Sequence, residues 1–248
     1  MNAVSPDNVT VTINVHFHII LNTSGEGNMT DETVMDQIEM LNAGFAGLDT
    51  LPNGTTPRGS AMNTPFRFVL AGITRTVNNT WFADNDEAGM KAALRVGDAQ
   101  TLNIYTNNTD FLGYATLPWW YSSDPTGDGV VILHTTVPGG TEPGYNEGDT
   151  LIHEVGHWLG LFHTFQGGCS KYNDFITDTP AEAAPFFGDF FPGGAGPNTI
   201  PDSCSQRTFP GVDSVENYMN YSNDASLYRF TGEQSRRCDV LSQIYRDL

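Results

Sequence analysis

His153, Glu154, His157, Gly160 and His163 stand in the pattern H-E-x-x-H-x-x-G-x-x-H, a spacing that assembles a catalytic zinc site with its own base, as in metalloproteases. At about 3.6 residues per turn, His157 follows His153 by one turn of helix, and both imidazoles leave the same face toward one ion. Glu154 stands beside that pair rather than between it. Its carboxylate can hold a zinc-bound water without ligating the metal, which is where a general base must sit. Gly160 lacks a Cβ, so it can turn left-handed, end the helix and let His163 reach the metal from a third direction. Three neutral imidazoles leave a coordination position open, as in catalytic zinc sites; structural ones take four protein ligands. The short H-E-x-x-H motif alone also arises on ordinary helices as a surface pair. The extended form fixes five positions in eleven residues and uses three of the chain's six histidines.

Downstream, Glu216-Asn217-Tyr218-Met219-Asn220-Tyr221-Ser222 stands where metzincins carry a methionine-containing turn beneath the metal. Read alone, Met219 is an adaptable filler of a core. After the long zinc motif it is the Met-turn residue, and Tyr221 projects a phenol able to donate a hydrogen bond to the oxyanion of peptide hydrolysis. The plainer role for Tyr221 is a buried tyrosine bonded to backbone.

These residues resemble the pappalysin (M43-type) branch of the metzincins, which includes secreted fungal extracellular metalloproteases and ulilysin. The resemblance covers most of the chain. It rests on Gly113-Tyr114-Ala115-Thr116, Asp128-Gly129-Val130-Val131-Ile132-Leu133 and the run HEVGHWLGLFHTFQGGC from His153 to Cys169. It continues through Thr177-Asp178-Thr179-Pro180, Asn217-Tyr218-Met219, Phe230-Thr231 and Gln234. What it implies is a secreted zinc endopeptidase with an α/β, zincin-like fold. A twisted, mostly parallel sheet with backing and active-site helices forms an upper subdomain (1–163). An irregular lower subdomain (164–248) holds the Met-turn and a C-terminal helix, with zinc at the floor of the cleft between the two. One catalytic domain then spans 1–248, and the chain is expected to be a monomer acting on protein or peptide substrates.

Relatives carry four cysteines after the zinc helix in two disulfides, whereas this chain has Cys169 and Cys204 there. Ser226 stands where one missing cysteine would be, and the other would fall in the stretch 181–201. Both partners of one bridge are thus absent together, and the resemblance implies that Cys169 pairs with Cys204, closing a loop for ~3–4 kcal/mol on the chain-entropy account. Cys238 is left over as a buried, inert thiol.

Asp224 matches a position which, in the family, lies at the base of the pocket for the residue after the scissile bond. A carboxylate there favours lysine or arginine, since a buried charge selects a ligand that brings the opposite one. The alternative is an aspartate capping a turn through backbone N–H groups. Asp174, Asp178 and the Thr179 carbonyl could likewise hold calcium, or simply cap turns.

The net charge of −18, from 29 acidic and 11 basic residues, argues against nucleic acid or an anionic membrane as partner. Seven N-x-S/T sequons, at Asn8, Asn22, Asn28, Asn53, Asn78, Asn107 and Asn220, fit a eukaryotic secretory product; Asn220, inside the Met-turn, is expected to stay bare. The polar opening and the lack of a long apolar run read as a mature domain without signal peptide or membrane span.

The elements that must position the site follow from periodicity. Strands are expected at Val9–Leu21, Phe66–Thr74, Leu102–Thr106 and Val130–Thr135, with His16 and His18 as packed strand histidines. Helices are expected at Thr30–Gly47, Asp86–Val96, Asn146–Leu161 for the zinc motif, and Thr231–Arg246. Pro118, Trp119, Trp120 and Tyr121 belong either to an upper rim whose strand edge pairs with substrate, as the family implies, or to a packed aromatic cluster. Phe186, Phe187, Phe190 and Phe191 read as a small core of the lower half. Two rival functions remain: a catalytically inactive binding module of the same fold, against which the retained Glu154 argues, and a zinc hydrolase of non-protein amides.

Overall fold

The structure is a computed structural model and describes residues 10–49, 61–190, 200–204 and 210–248. Strand β1 (Val11–Leu21) buries Ile13, Val15, Phe17 and Ile19 on one face, as its alternation requires. It is followed by α1 (Asp31–Ala46), β2 (Phe66–Val77), α2 (Asn79–Phe82), α3 (Glu87–Leu94), β3 (Leu102–Asn107), β4 (Gly113–Ala115) and β5 (Val130–Leu133). Then come α4 (Asp149–Trp158), the short pair β6 (Phe187–Gly188) and β7 (Tyr221–Ser222), and α5 (Gly232–Arg246). Single 3-10 turns lie at Pro118–Trp120 and Asp224–Ser226.

The five-stranded sheet has the order β2-β1-β3-β5-β4. Its first four strands are parallel, and β4 forms the edge, antiparallel to β5. Helices α1 and α4 cover one face, where Val34, Leu41 and Phe45 meet Ile152, Val155 and Trp158 over the β1 side chains. On the other face Ile20, Tyr105 and Val131, each one residue out of phase with the first set, pack with Phe82 of α2 and Met90 of α3. Covering both faces suits a mostly parallel sheet, and each fully buried Val, Leu, Ile or Phe side chain contributes ~1.5–3 kcal/mol. His18 is a core residue of β1: Nδ1 lies 2.8 Å from Thr74 Oγ1 and Nε2 3.1 Å from Asn103 Oδ1.

Helix α4 is shorter than its apolar pattern suggests, because Gly148 (φ +108°) and Gly160 (φ +104°) set limits that no regular helix crosses. Below it regular structure thins until α5, whose capping box joins Thr231 and Gln234. The same Gln234 amide pairs with Asn217, donating to Oδ1 at 3.0 Å and accepting from Nδ2 at 2.8 Å, and Asn217 Oδ1 also accepts from Met219 N. The Met-turn is thereby tied to the start of the last helix. Cys169 and Cys204 form a disulfide, and Cys238 is a buried free thiol.

The phenylalanine stretch of the lower half is divided. Phe190 is buried, but Phe187 is 66% exposed and lines the cleft; Phe191 lies outside the described residues. Of the sequons, Asn8 and Asn53 lie outside the described residues. Asn107 is fully buried with its amide donating to Trp81 O and Asp84 Oδ1, so a glycan there is incompatible with this fold. The same holds for Asn220, whose amide donates to Glu182 and to Ser214 O.

Candidate active site

The three imidazoles of the motif converge. His157 Nε2 lies 3.1 Å from His153 Nε2 and 3.0 Å from His163 Nε2. Their protons are assigned by the opposite ring nitrogens: His153 Nδ1 donates to Tyr218 O at 2.6 Å and His157 Nδ1 to Leu161 O at 2.8 Å. Carbonyls only accept, so in the neutral rings Nε2 of both histidines carries a lone pair directed at the common point. Burial holds all three imidazoles neutral, with His153 well below its ordinary value, His157 lowered to about 4 and His163 to about 3. Converging lone pairs with no proton between them repel unless a cation lies at their focus. Zinc–nitrogen distances of about 2.0–2.1 Å in a tetrahedron set nitrogens about 3.3 Å apart, close to the spacing here. The donor set therefore fits zinc. Among the described residues, this triad is the only group of three or more His, Cys, Asp or Glu side chains brought within metal-ligating reach of one another.

Glu154 is buried beside the triad and is pushed up to about 8 by that burial alone. The β4 edge lies directly against it: a Cβ built on Gly113 would stand 2.8 Å from Glu154 Cγ. Tyr221, half-buried, brings its hydroxyl to 3.1 Å from His163 Nε2. Burial, then the Glu154 carboxylate, push this phenol up, so it keeps its proton at neutral pH. Phe165 stacks on His163 (4.7 Å between centroids, 7° between planes) and also meets the Tyr221 ring. Beneath the triad lies Met219, fully buried.

A cavity of about 560 Å³ opens over this group, walled above by β4 and the Pro118–Trp120 turn and below by Phe187 and Tyr221. At the amino end of α4 its wall includes Asp224, Asp149, Tyr145 and Leu227. Asp224 takes the capping role open to it in the sequence and also lines the cavity. Oδ2 accepts from the backbone N–H groups of Glu147 (2.8 Å) and Gly148 (3.2 Å), capping the loop that leads into α4. Oδ1 has no partner among the described residues. Asp149, which sequence reasoning passes over, lies 2% exposed on the same wall with an unpartnered Oδ1 of its own. Burial raises both, Asp224 to about 7 with the charge of Glu147 adding to it, and Asp149 well above the carboxylate range with the charges of Asp224, Asp49 and Glu147 adding to it.

Asp174 and Asp178, read from the sequence as calcium ligands or turn caps, accept from protein donors. Asp174 accepts from Ile176 N and Thr179 Oγ1, and Asp178 from Thr231 Oγ1 and Glu233 N at the start of α5.

Comparison with known proteins agrees with this geometry. The peptidase M43 family, described as Pregnancy-associated plasma protein-A, matches residues 97–241. An extracellular metalloprotease of Verticillium alfalfae is 40% identical over 246 residues, covering 96% of this chain and 78% of that protein. One from Colletotrichum graminicola is 39% identical over 244 residues, with the same coverage of each. Among solved structures, mirolysin in complex with a small compound superposes with a TM-score of 0.80 at 31% identity, covering 94% of this chain and 92% of that one. Mature mirolysin of Tannerella forsythia, in complex with a cleaved peptide, superposes with a TM-score of 0.76 at 31% identity over the same shares. No helix among the described residues is long and apolar enough to cross a membrane. The chain belongs to the M43 peptidase family, with a metzincin fold, and is a metalloendopeptidase.

Proposed function

We propose that this chain is a secreted zinc endopeptidase in which His153, His157 and His163 hold the metal, Glu154 moves the proton and Tyr221 steadies the developing oxyanion. The observation that carries the reading is the convergence of three neutral Nε2 atoms within 3.0–3.1 Å contacts, next to a buried carboxyl. Zinc, when bound, polarises the scissile carbonyl and lowers the pKa of water toward about 7. Glu154, buried beside the triad, takes a proton from the attacking water and passes it to the leaving amine. Tyr221, protonated and held beside His163, donates to the oxyanion as the carbonyl carbon becomes tetrahedral. The exposed edge of β4 offers backbone groups to an extended peptide, whose added strand would lie between rim and floor. The Tannerella relative holds a cleaved peptide.

The pocket with Asp224 and Asp149 supports a preference for lysine or arginine after the scissile bond. Two buried carboxyls, each with an unpartnered oxygen, repel one another, and a side chain that brings a cation relieves both. The test is digestion of a proteome-derived peptide library by wild type, Glu154→Gln and Asp224→Ala, with and without a zinc chelator. Cuts should vanish with Glu154→Gln or chelator, and Lys/Arg enrichment after the cut should fade with Asp224→Ala. Cutting that survives the chelator, or full activity of Glu154→Gln, would defeat the mechanism.

A further inference from the structure

The cleft has a second, differently built end. Asp224 and Asp149 stand at the amino end of α4, whereas Trp119, Trp120 and Phe162 stand at its carboxyl end. Pro118 fixes this: a Cβ built on Gly160, just past α4, would lie 3.3 Å from the Pro118 ring, so the 3-10 turn Pro118–Trp120 sits on the helix end. The metal-site histidines lie between the two ends. Trp119 is the packed member, with its ring 5.7 Å from Phe162 and 6.3 Å from Tyr245. Trp120 has no ring partner among the described residues, is 48% exposed, and lines the cavity together with Leu117 and Phe162. A half-exposed tryptophan on a cavity wall shared with Leu117 and Phe162 is how a binding surface is made rather than a core.

Chain direction says which part of the substrate meets it. Gly113 lies against Glu154, level with the chemistry, and β4 runs from there toward Leu117 and the turn. A substrate strand lying antiparallel along the free β4 edge has its amino-terminal part at the Leu117 end. The pocket reading gives the same direction: if the residue after the cut enters the Asp149–Asp224 pocket, the residues before it run the other way, to the carboxyl end of α4. From Gly113 to Leu117 is about four residues of extended chain, ~13 Å.

We propose that Trp120, with Leu117 and Phe162 on the same cavity wall, forms an apolar subsite selecting aromatic or large aliphatic side chains two to four residues before the scissile bond. This rests on the zinc endopeptidase reading, and its orientation agrees with the basic pocket without requiring it. The test maps wild-type cuts in a peptide library, then measures kcat and KM on matched fluorogenic peptides with Phe or Ala at the most enriched position, for wild type and Trp120→Ala. Wild type should prefer Phe by about tenfold in kcat/KM, the size expected of one seated apolar side chain, carried mainly by KM. Trp120→Ala should remove most of that ratio with its zinc content unchanged. No apolar enrichment before the cut, enrichment only after it, or a Phe-over-Ala ratio unchanged in Trp120→Ala would each overturn the proposal. Loss of Lys/Arg enrichment alone would instead count against the carboxylate pocket, and the absence of any chelator-sensitive cutting against the endopeptidase reading itself.

Discussion

Met219 packs on Gly156 so closely that a Cβ built on that glycine would stand 2.5 Å from the thioether sulfur. Gly156 is one of the unassigned positions inside H-E-x-x-H, yet it is the point at which the floor of the site touches the zinc helix. His153, on the same helix, donates to the carbonyl of Tyr218, the residue before Met219. Floor and ligand helix are thus fitted through one missing side chain and one hydrogen bond.

Gly156→Ala should therefore act as an overpacking change, costing ~1–3 kcal/mol and tilting α4 or lifting the Met-turn. Zinc retention in a chelator titration should fall along with thermal stability. In a double-mutant cycle the Gly156→Ala, Met219→Ala pair should cost less than the sum of the singles, because each removes part of the other's clash or cavity. Additivity would mean that the contact carries no energy.

Gly113→Ala presses on Glu154 from the strand edge rather than from below, meeting Cγ at 2.8 Å and Oε1 at 3.0 Å. The triad is untouched, so zinc content should stay at the wild-type level. Displacing a proton-transferring group typically forfeits about 10²–10⁴ of rate, and a fall of that order in kcat with little change in KM is expected. An equal rise in KM would mean instead that the strand edge, not Glu154, was disturbed.

Much of this site is legible in sequence because short covalent spacings set its geometry. His153, Glu154 and His157 share one helix, and Gly160 sends His163 back to them. Phe165 carries a signal that goes unused: two residues after His163, it can share that residue's face and stacks on its ring. Asp149 carries none, since an acidic residue in the first turn of a helix is explained by the helix dipole. That it shares a wall with Asp224 depends on how distant segments fold together. The limits of α4 are misread for a related reason: Leu159, Leu161 and Phe162 carry the apolar pattern past its carboxyl end, and the positive φ of Gly148 and Gly160 bounds the helix.

Behind the zinc helix, Arg246 and Asp128 form a buried pair, with Nη2 3.0 Å from Oδ1 and Nη1 3.1 Å from Oδ2. The guanidinium also lies 3.5 Å from the Trp158 ring centroid, and its Nε donates to Trp158 O at the end of α4. Asp128 in turn accepts from Trp158 Nε1 and Thr116 Oγ1. Removing one partner leaves a buried charge unpaired, so Asp128→Ala should cost ~3–5 kcal/mol in denaturant unfolding. Asp128→Asn keeps acceptor capacity for Trp158 and should cost less. Equal losses for the two would show that the charge, rather than the hydrogen bonds, dominates.

Two buried carboxyls should oppose the usual acid-denaturation trend over the mildly acidic range. Burial raises Glu182 to about 7 and Asp174 to about 6, both above their ordinary values in an unfolded chain. Between the unfolded and folded values the native state binds more protons, so stability is greatest below the unfolded value and is lost as pH rises through the folded one. The histidines that burial holds neutral oppose this below their ordinary value of 6.5; with zinc held in excess, the carboxyls by themselves make the melting temperature fall from pH 5.5 to pH 8. Self-repulsion of a chain with a net charge of −18 acts in the same direction, so the wild-type slope alone does not isolate the carboxyls. Glu182→Gln does: an amide can occupy this buried site beside Asn220, does not titrate, and barely alters net charge. Its melting temperature should vary less with pH than that of wild type, with the difference developing around pH 7. Parallel curves for the two proteins would show that Glu182 keeps an ordinary pKa in the fold.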